Sequence, residues 1–576
     1  MHALSSFETK DNLPQHLDAQ KRLRHMSNRS AKGKSTGQQE LVRSTRAKIE
    51  QALALNDIAT AAALAESGLA AGVVEPLTLN LVAWLREERG DYAGAHELLR
   101  QALHLSPGDV MVLGAIGAVM RKEGRWEEAL ALLDRVVAAE PRHSAAWLER
   151  GYTLEALRSE AAAIDSYSRA LALDPNLAPA YGKLADIAAR KGDRQGARMQ
   201  AERALAIDAG EPAATFALAV MDIEARNGAG AIARLEALLE TGLKPDDRTR
   251  ALTLLGDALD KEDRCDDAFE TYCRAQSNFR RVYSAVLAPG YERPSHRSFI
   301  ETITAQVERG PAMTPALSSP PIAGAAARHV FLLGYPRSGT TLVENILASA
   351  ADVVALEEHD TLADADGVLI ANDGSMPDLD GLDASIVAEL RAKYWARVQK
   401  LGGAVRGKTF VDMNPFNGIK LPIIARLFPE ARILIMRRDP RDVVLSCYRI
   451  NFAPSPAAYA FSDLEETARH YDALMRLIEL CRERLPLACH EVRYDRLVSD
   501  FEPTVRAMAA FVGLPWTDDF HAFDRTAQSR GVRTASATQV RRGLYNGGGR
   551  WRRYEVQLHP ILPILAPWLE RFGFSD

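Results

Sequence analysis

The chain has 576 residues, a hydrophobic fraction of 47% and a formal net charge of −5. This length exceeds what one hydrophobic core supports, so two or more domains are expected, and the charge provides no general attraction to nucleic acid. The five cysteines lack metal-ligand spacing and predict thiols of a reducing, cytoplasmic compartment. No apolar stretch is long enough for a membrane span, and the N-terminus has no run typical of a signal peptide.

Residues 1–39 are polar, mildly basic and without hydrophobic periodicity. Such a segment cannot bury enough apolar surface to offset the entropy that ordering costs. We therefore expect a disordered N-terminal tail over residues 1–39, with the first domain beginning at residue 40.

The first half of the chain repeats itself every 34 residues. Pro107, Pro141 and Pro175 keep this spacing, and Ala209 takes the next slot. Two further series stay in phase, a glycine series with Arg158 in its missing place and an alanine series: Gly90, Gly124 and Gly192, then Ala95, Ala129, Ala163 and Ala197. This period, with small residues at helix contacts and Pro at the end of each unit, is typical of the tetratricopeptide repeat.

Each such unit is a pair of helices whose apolar face is buried only when neighbouring units stack. We expect an all-α solenoid over residues 40–280, with about six or seven repeats, the degenerate ones near 41–72, 210–243 and 246–280. The solenoid is either a scaffold that stabilises the second half or a concave groove for a peptide or partner protein. We favour the groove, whose ligand the sequence does not name.

Residues 281–328 separate the repeats from the second half. Pro311, Pro315, Pro320 and Pro321, together with Ala, Ser and Gly, predict a connecting linker there. Residues 329–576 then form the second predicted domain.

The second domain opens with a pattern that predicts an anion site. An apolar run at Val330–Leu333 predicts a buried strand, and a turn with Gly334, Pro336 and Gly339 follows it. An amphipathic run from Thr340 predicts a helix. A strand, a glycine turn and a helix N-terminus direct free backbone amides and the positive end of the helix dipole at one point.

The side chains of this turn distinguish it from a triphosphate-binding loop. Arg337, Ser338, Thr340 and Thr341 add one cation and three hydroxyl groups. A nucleotide-triphosphate loop requires Lys after its second glycine, and Thr340 stands in that position. The pattern therefore argues against an ATPase or nucleotide kinase, which we keep as a rival interpretation.

Two more strands are predicted at residues 431–436 and 490–494, separated by helical segments. This alternation predicts a doubly wound α/β fold with a P-loop-like parallel sheet, whose ligands bind at the carboxyl ends of the strands. Arg438 follows the second of these strands, and Ser446 lies two helical turns further on. An Arg–Ser pair suits a phosphate group. Taken alone, however, a charged turn of this kind is more often exposed to solvent, with its Arg and Asp residues paired with each other.

Three motifs in this order resemble those of the sulfotransferases. They are residues 336–341 (Pro-Arg-Ser-Gly-Thr-Thr), Arg438 with Ser446, and the C-terminal stretch that runs from Gln539 to Tyr554. The chain is most similar to the bacterial tetratricopeptide–sulfotransferase type, which is related to tyrosylprotein sulfotransferases. The resemblance covers about 330–572, with the repeats before it.

This resemblance implies that the sulfuryl donor is 3′-phosphoadenosine 5′-phosphosulfate and that no metal is required. It assigns the 5′-phosphosulfate to the loop residues Pro336, Arg337, Ser338, Gly339, Thr340 and Thr341. Arg438 and Ser446 would hold the 3′-phosphate, and Tyr494 would lie near the adenosine.

The C-terminal motif would close a loop over the nucleotide. Its residues are Gln539, Val540, Arg541, Arg550 and Trp551.

The resemblance also implies a catalytic base. Glu358 lies seventeen residues after Thr341, a spacing that matches the catalytic glutamate of the tyrosylprotein enzymes. His359 is the alternative base, because small-molecule sulfotransferases use a histidine. Without the motif, Glu358 and its neighbours would be interpreted as an acidic solvated turn.

Two positions depart from the family pattern. Met413 stands where related enzymes carry a Lys that polarises the leaving oxygen of the sulfate. Lys408 or Lys420 could reach in, or else Arg337 and the loop amides must carry that charge. Asp360 stands where the tyrosylprotein type has an Arg near the catalytic glutamate, which puts the acceptor in doubt.

The sequence thus favours a sulfotransferase that modifies an acceptor hydroxyl. A protein tyrosine is one candidate acceptor, presented by the repeat groove, and a carbohydrate, lipid or small-molecule hydroxyl is another. The alternative is a non-catalytic adaptor whose sulfotransferase domain is degenerate. Neither the oligomeric state nor the acceptor can be inferred from the chain.

Overall fold

The computed structural model describes residues 19–55, 57–290, 293–310, 322–530, 543–544 and 547–574, with side chains from residue 37 onward. The chain divides into two compact units, Met1–Leu184 and Ala185–Asp576. The boundary falls within a repeat helix, so the last repeats belong to the same unit as the β-sheet.

Antiparallel pairs of short helices build the first unit, as the 34-residue period predicts. Its helices are α1 Ala19–Ala54, α2 Ile58–Ala70, α3 Pro76–Glu88, α4 Tyr92–Leu105, α5 Val110–Lys122, α6 Trp126–Ala139, α7 Ser144–Ala156 and α8 Glu160–Leu173, with α9 Ala178–Lys191 crossing the boundary. The glycine series marks the turn inside each pair, where the backbone has a positive φ of 78° at Gly90 and 79° at Gly124. Arg158, in the missing place of that series, keeps the same left-handed conformation with a φ of 61°.

Helix α1 begins well inside the segment for which the sequence predicts a disordered tail. Residues 19–54 contain no proline and are rich in Ala, Lys, Arg and Gln, which favour helix. The C-terminal part of α1 is anchored by the buried side chains of Ile49 and Ala52. Once such a segment is formed, extending the helix adds one hydrogen bond for each residue that it orders.

The second unit continues the repeats before its sheet begins. The helices are α10 Arg194–Ile207, α11 Pro212–Glu224, α12 Gly228–Leu239, α13 Pro245–Lys261, α14 Cys265–Leu287 and α15 His296–Arg309. Helix α15 lies inside the predicted linker 281–328. Its first turn is capped by Ser295, whose Oγ accepts from the Ser298 amide at 3.0 Å, and Ile300 and Ile303 are fully buried in the core of the sheet. The prediction of a linker missed this helix because prolines dominate the segment after it.

A five-stranded parallel sheet forms the centre of the second unit. Its strands are β1 Arg328–Leu333, β2 Val353–Glu357, β3 Thr409–Met413, β4 Arg432–Arg437 and β5 Ala488–Arg493, in the order β2-β3-β1-β4-β5. The predicted α/β fold is confirmed, and strands β1, β4 and β5 lie within one or two residues of their predicted positions. Strands β2 and β3 were not predicted.

Both faces of the sheet are buried, as expected for a parallel sheet covered by helices. Phe331 and Leu333 point into one core, and Val330 and Leu332 point into the other; all four are inaccessible to solvent. Each such side chain contributes about 1.5–3 kcal/mol on burial. The core therefore fixes β1 in register and, with it, the position of the loop that follows.

Helices and short helical turns complete the unit. The helices are α16 Thr340–Ala348, α17 Ala363–Leu369, α18 Ala384–Lys400, α19 Leu421–Leu427, α20 Pro440–Arg449, α21 Pro456–Phe461, α22 Leu464–Arg484, α23 Tyr494–Ser499, α24 Phe501–Val512 and α25 Phe523–Arg530, then Glu555–Leu558 and Leu562–Phe572. No helix in the described ranges is long and apolar enough to cross a membrane.

Candidate active site

The loop between β1 and α16 reaches the carboxyl edge of the sheet, where the chain order of the strands reverses. Gly339 has a φ of 109°, and a Cβ built on it would lie 2.7 Å from Cδ2 of Tyr494. Because α16 begins at Thr340, its first amides have no partner within the helix. The loop therefore presents backbone N–H groups at a point where only glycine fits.

We expect Gly339→Ala to weaken anion binding at this loop at least tenfold, because the methyl group would clash with Tyr494 and the backbone would be strained. Gly402→Ala is the matched control, since Gly402 also has a positive φ but its Cβ would meet no atom within 4 Å. Isothermal calorimetry with inorganic sulfate measures both. Equal affinity of the two variants would contradict the role of Gly339.

Arg337, Arg438 and Ser446 come together beside the loop. The Nε of Arg337 donates to Ser446 Oγ at 3.1 Å, and Nη1 of Arg438 donates to the Arg337 carbonyl oxygen at 3.0 Å. Burial and the nearby Arg438 charge lower the pKa of Arg337 to about 10. Two half-buried arginines whose charges act on one another favour a bound anion beside them.

Two buried donors of this cluster have no hydrogen-bond partner among the described residues. They are Ser338 Oγ and Arg438 Nε. A buried polar group without a partner costs about 1–3 kcal/mol. Their position beside the loop fits the oxygens of a phosphate or sulfate group, which would accept hydrogen bonds from both.

Two adjacent arginines stand at the end of β4, Arg437 as its last residue and Arg438 directly after it, and their surroundings differ. Arg437 is buried under the sheet, where it pairs with Glu479 and Glu491. Arg438 turns towards the loop, and its guanidinium lies 4.7 Å from the ring centre of Tyr494. Tyr494 thus lies against both Arg438 and the loop.

Glu358 directly follows β2 and lies at the same edge of the sheet. Its backbone is left-handed, with a φ of 42°, and its amide donates to the Met413 carbonyl oxygen at 3.1 Å. A non-glycine residue in this conformation is strained, which is common at functional sites. The charge of Glu358 favours the protonated form of Arg337, so the carboxylate and the guanidinium act on one another. Glu358 and the neighbouring His359 are both half-buried.

Met413 is fully buried in the core between the sheet and α16. Neither proposed substitute for the missing lysine is available there. Lys408 precedes β3 and so lies at the opposite end of a five-residue strand. The ammonium group of Lys420 pairs with the carboxylates of Asp360 and Asp366. Arg337 and the loop amides therefore remain as the source of positive charge.

Lys420 also changes how Asp360 is interpreted. The Nζ of Lys420 lies 2.7 Å from Asp360 Oδ1. Burial lowers the pKa of Lys420, but Asp366 and Asp360 outweigh it and the net shift is upward. Asp360 thus forms an ion pair with Lys420 at the position for which the resemblance implies an arginine.

The C-terminal motif is only partly described. Gln539, Val540 and Arg541 lie outside the described residues. Arg550 pairs with Asp260 of α13, while Trp551 is buried and its ring lies 3.6 Å from the guanidinium carbon of Arg441. These contacts are within the protein, and the closing role of Arg550 and Trp551 stays a prediction.

Sequence reasoning missed a buried ion pair behind the loop. Glu344 of α16 is inaccessible to solvent and accepts from Nη2 of Arg530 at 2.9 Å. Burial raises the pKa of Glu344 to about 7, despite Arg530. The charges of Glu357 and Glu358 raise the pKa of Glu344 further, so Glu344 interacts electrostatically with the candidate base. Nothing in the helical pattern distinguishes Glu344 from a solvated glutamate.

A second missed residue anchors the C-terminal segment. Asp442 accepts from the amides of Gly549 and Trp551 at 2.7 and 2.9 Å.

Across the described ranges, no group of three or more His, Cys, Asp or Glu side chains is arranged to hold a metal ion.

The sequence profile of the family described as "Sulfotransferase family" matches residues 329–518. Tetratricopeptide-repeat profiles match residues 87–150 and 144–177.

Three curated relatives illustrate the similarity. An uncharacterized protein of Aquifex aeolicus is 29% identical over 343 residues, which cover 58% of this chain and 43% of that protein. Protein-tyrosine sulfotransferase 1 of Danio rerio is 23% identical over 280 residues, or 45% of this chain and 76% of that enzyme. Omega-hydroxy-beta-dihydromenaquinone-9 sulfotransferase Stf3 of Mycobacterium bovis is 28% identical over 146 residues, which cover 23% of this chain and 37% of that enzyme.

The alignments span less than half of the Aquifex and mycobacterial proteins. The profile match begins at β1 and includes the loop, Glu358, Arg438, Ser446 and Tyr494. Residues 329–518 of the chain therefore match the sulfotransferase family, and segments before them match tetratricopeptide repeats.

Proposed function

We propose that the protein transfers a sulfuryl group from 3′-phosphoadenosine 5′-phosphosulfate to an acceptor hydroxyl. The observation that carries the proposal is the pair of half-buried arginines, Arg337 and Arg438, beside the N-terminus of α16, together with the buried, unsatisfied donors Ser338 Oγ and Arg438 Nε. The loop and Arg337 would hold the phosphosulfate. Arg438 with Ser446 would hold the 3′-phosphate, and Tyr494 would lie beside the adenosine.

The transfer is an in-line displacement at sulfur. Glu358 accepts the proton of the acceptor hydroxyl, whose oxygen forms a bond to sulfur as the bond from sulfur to the bridging oxygen breaks. Adenosine 3′,5′-bisphosphate leaves with the bridging oxygen, whose developing charge Arg337 and the loop amides stabilise. His359 is the alternative base.

The acceptor is proposed on the basis of the repeats and of the relatives. A protein tyrosine held by the repeat groove suits the similarity to protein-tyrosine sulfotransferase 1 of Danio rerio. A lipid or small-molecule hydroxyl suits the similarity to the mycobacterial dihydromenaquinone sulfotransferase. In either case we place the repeats at 40–280 and the catalytic domain at 329–576.

Calorimetric titration with adenosine 3′,5′-bisphosphate tests the donor assignment. We expect binding by the wild-type protein, and Arg438→Ala should weaken it by about 1.5–3 kcal/mol because a charge-assisted hydrogen bond is lost. Arg496→Ala is the control, since Arg496 lies near Tyr494 in sequence but is exposed and pairs only with Asp500. Absence of binding by the wild-type protein would overturn the proposal.

The buried Met413 favours a second candidate, an adaptor that binds the nucleotide without transfer. If the protein is an enzyme, Met413→Lys should raise turnover at least tenfold, because one added donor to a leaving oxygen is worth about 10²–10³ in rate. Met508→Lys places an ammonium group in the same core but in α24. We expect it to lower stability without raising turnover, as measured with radiolabelled donor. Turnover that is undetectable in both the wild type and Met413→Lys would favour the adaptor.

A further inference from the structure

A cavity of about 570 Å³ lies between helices α14, α15 and α21, apart from the loop site. It has the size of a small-molecule site. Its walls combine apolar side chains, such as Leu287 and Pro456, with charged groups from α14, α15 and the neighbouring helix α22.

Most charged groups of the cavity are neutralised by a neighbour. Arg297 pairs with Glu466 at 2.9 Å, and Arg469 pairs with Glu465 at 2.6 Å. Arg280 differs, because its guanidinium contacts only Ser462 Oγ, at 3.3 Å, and the ring of Tyr459, 4.7 Å from its centre. No carboxylate among the described residues pairs with it. Within the described part of the chain, the cavity thus contains a half-buried guanidinium that is not paired with a carboxylate.

A chain of three side chains connects this cavity with the loop at the end of β1. His296 lines the cavity, and its Nδ1 lies 2.6 Å from Nε2 of His470. Nδ1 of His470 lies 2.8 Å from the hydroxyl of Tyr335, which follows Gly334 in the loop. Burial lowers the pKa of His296 to about 4 and that of His470 well below its usual range, so both imidazoles are neutral.

Neutral imidazoles allow two arrangements of the protons in this chain, since each ring has one donor and one acceptor nitrogen. In the first, Tyr335 donates to His470, His470 donates to His296, and His296 carries its proton on Nε2. In the second, His296 donates from Nδ1 to His470, and His470 donates from Nδ1 to the hydroxyl oxygen of Tyr335. An anion beside His296 favours the first arrangement, because Nε2 of His296 then carries a proton and can donate a hydrogen bond to the anion.

We propose that this cavity is a second ligand site for a small organic anion, bound through Arg280, and that the His296–His470–Tyr335 chain connects its occupancy with the donor loop. The planar guanidinium suits a carboxylate or phosphate head group, and Leu287 and Pro456 suit an apolar body. Binding of the anion does not itself require sulfuryl transfer, because none of the residues that line the cavity belongs to the candidate active site.

Calorimetric titration of the full-length protein with benzoate tests the site. We expect benzoate to bind the wild type and benzamide, its neutral counterpart, to bind at least tenfold more weakly. Arg280→Met should weaken benzoate binding at least tenfold, whereas Arg274→Met, an exposed arginine on the same helix, should leave it unchanged. Arg438→Ala should also leave it unchanged, which separates this cavity from the loop. Equal binding of benzoate and benzamide, or of wild type and Arg280→Met, would overturn the proposal.

Nitrogen-15 NMR of the histidine rings tests the connection. Benzoate should shift the ring nitrogen signals of both His296 and His470 in the wild type, but not in Arg280→Met. Signals that stay unchanged at benzoate saturation would show that the chain does not respond to the cavity and would overturn that part of the proposal.

Discussion

Replacing Glu358 with Gln should lower turnover by a factor of about 10²–10⁴ and leave the affinity for adenosine 3′,5′-bisphosphate within twofold of wild type. A positioned general base contributes about 10²–10⁴ in rate, and the amide removes the base without changing the size of the side chain. We expect nucleotide affinity to be preserved because, in the proposed function, the loop, Arg438 and Ser446 would make the contacts to the bisphosphate. Turnover with radiolabelled donor and calorimetry with the bisphosphate measure the two quantities.

Two neighbouring substitutions are the controls for this result. Glu357→Gln removes an adjacent, half-buried carboxylate and should retain most activity. His359→Asn should also remain active if Glu358 is the base. A fully active Glu358→Gln with an inactive His359→Asn would transfer the role of base to His359.

The parts of the fold that could be predicted from the sequence are those with a local signal. The repeats show a period, and β1 shows an uninterrupted apolar run before a glycine turn. Strands β2 and β3 have five residues each, and their ends carry Glu357, Asp412 and Met413, so neither resembles a buried strand. Strand β3 is held by pairing with β1, and β2 by pairing with β3, which only the tertiary structure supplies.

The residues of the candidate site also divide into those with a local sequence signal and those without one. The loop, Arg438, Ser446 and Glu358 were found by motif spacing, and the structure places them at one edge of the sheet. Glu344 and Asp442 could not be found, because their importance depends on partners distant in sequence: Arg530 for one, and the amides of Gly549 and Trp551 for the other.

The junction between the last repeat and the sheet is another feature without a local signal. Asp260 of α13 is buried and contacts three side chains of the C-terminal segment, Arg550, Arg553 and Tyr554. Nearby, Arg449 of α20 pairs with Asp257 at 2.5 Å. Helix α20 also carries Ser446, so the last repeat supports the helix that contributes to the candidate nucleotide site.

Replacing Asp260 with Ala should lower the free energy of unfolding of this unit by about 1–3 kcal/mol, because it leaves the buried Tyr554 hydroxyl without its acceptor and removes the carboxylate that the partly exposed Arg550 and Arg553 pair with. Asp263→Ala is the matched control: Asp263 also pairs with Arg553, but its side chain is 90% exposed, and a loss of about 0–1 kcal/mol is expected. Chemical denaturation followed by circular dichroism measures both. Equal losses would show that Asp260 is not the centre of the junction.

The pH dependence of the stability difference between wild type and Asp260→Ala gives an independent check. Burial alone would raise the pKa of Asp260, but Arg449, Arg550, Tyr554 and Arg553 outweigh it and the pKa lies below its ordinary value of 3.8. A carboxyl group whose folded pKa is depressed stabilises the fold above its unfolded pKa and loses that contribution as the pH falls through its folded pKa. The stability difference between wild type and Asp260→Ala should therefore be constant from pH 7 to about 5 and shrink below about 4. A difference that grows on acidification would mean that Asp260 is protonated in the folded protein, and the junction would then rest on its apolar contacts.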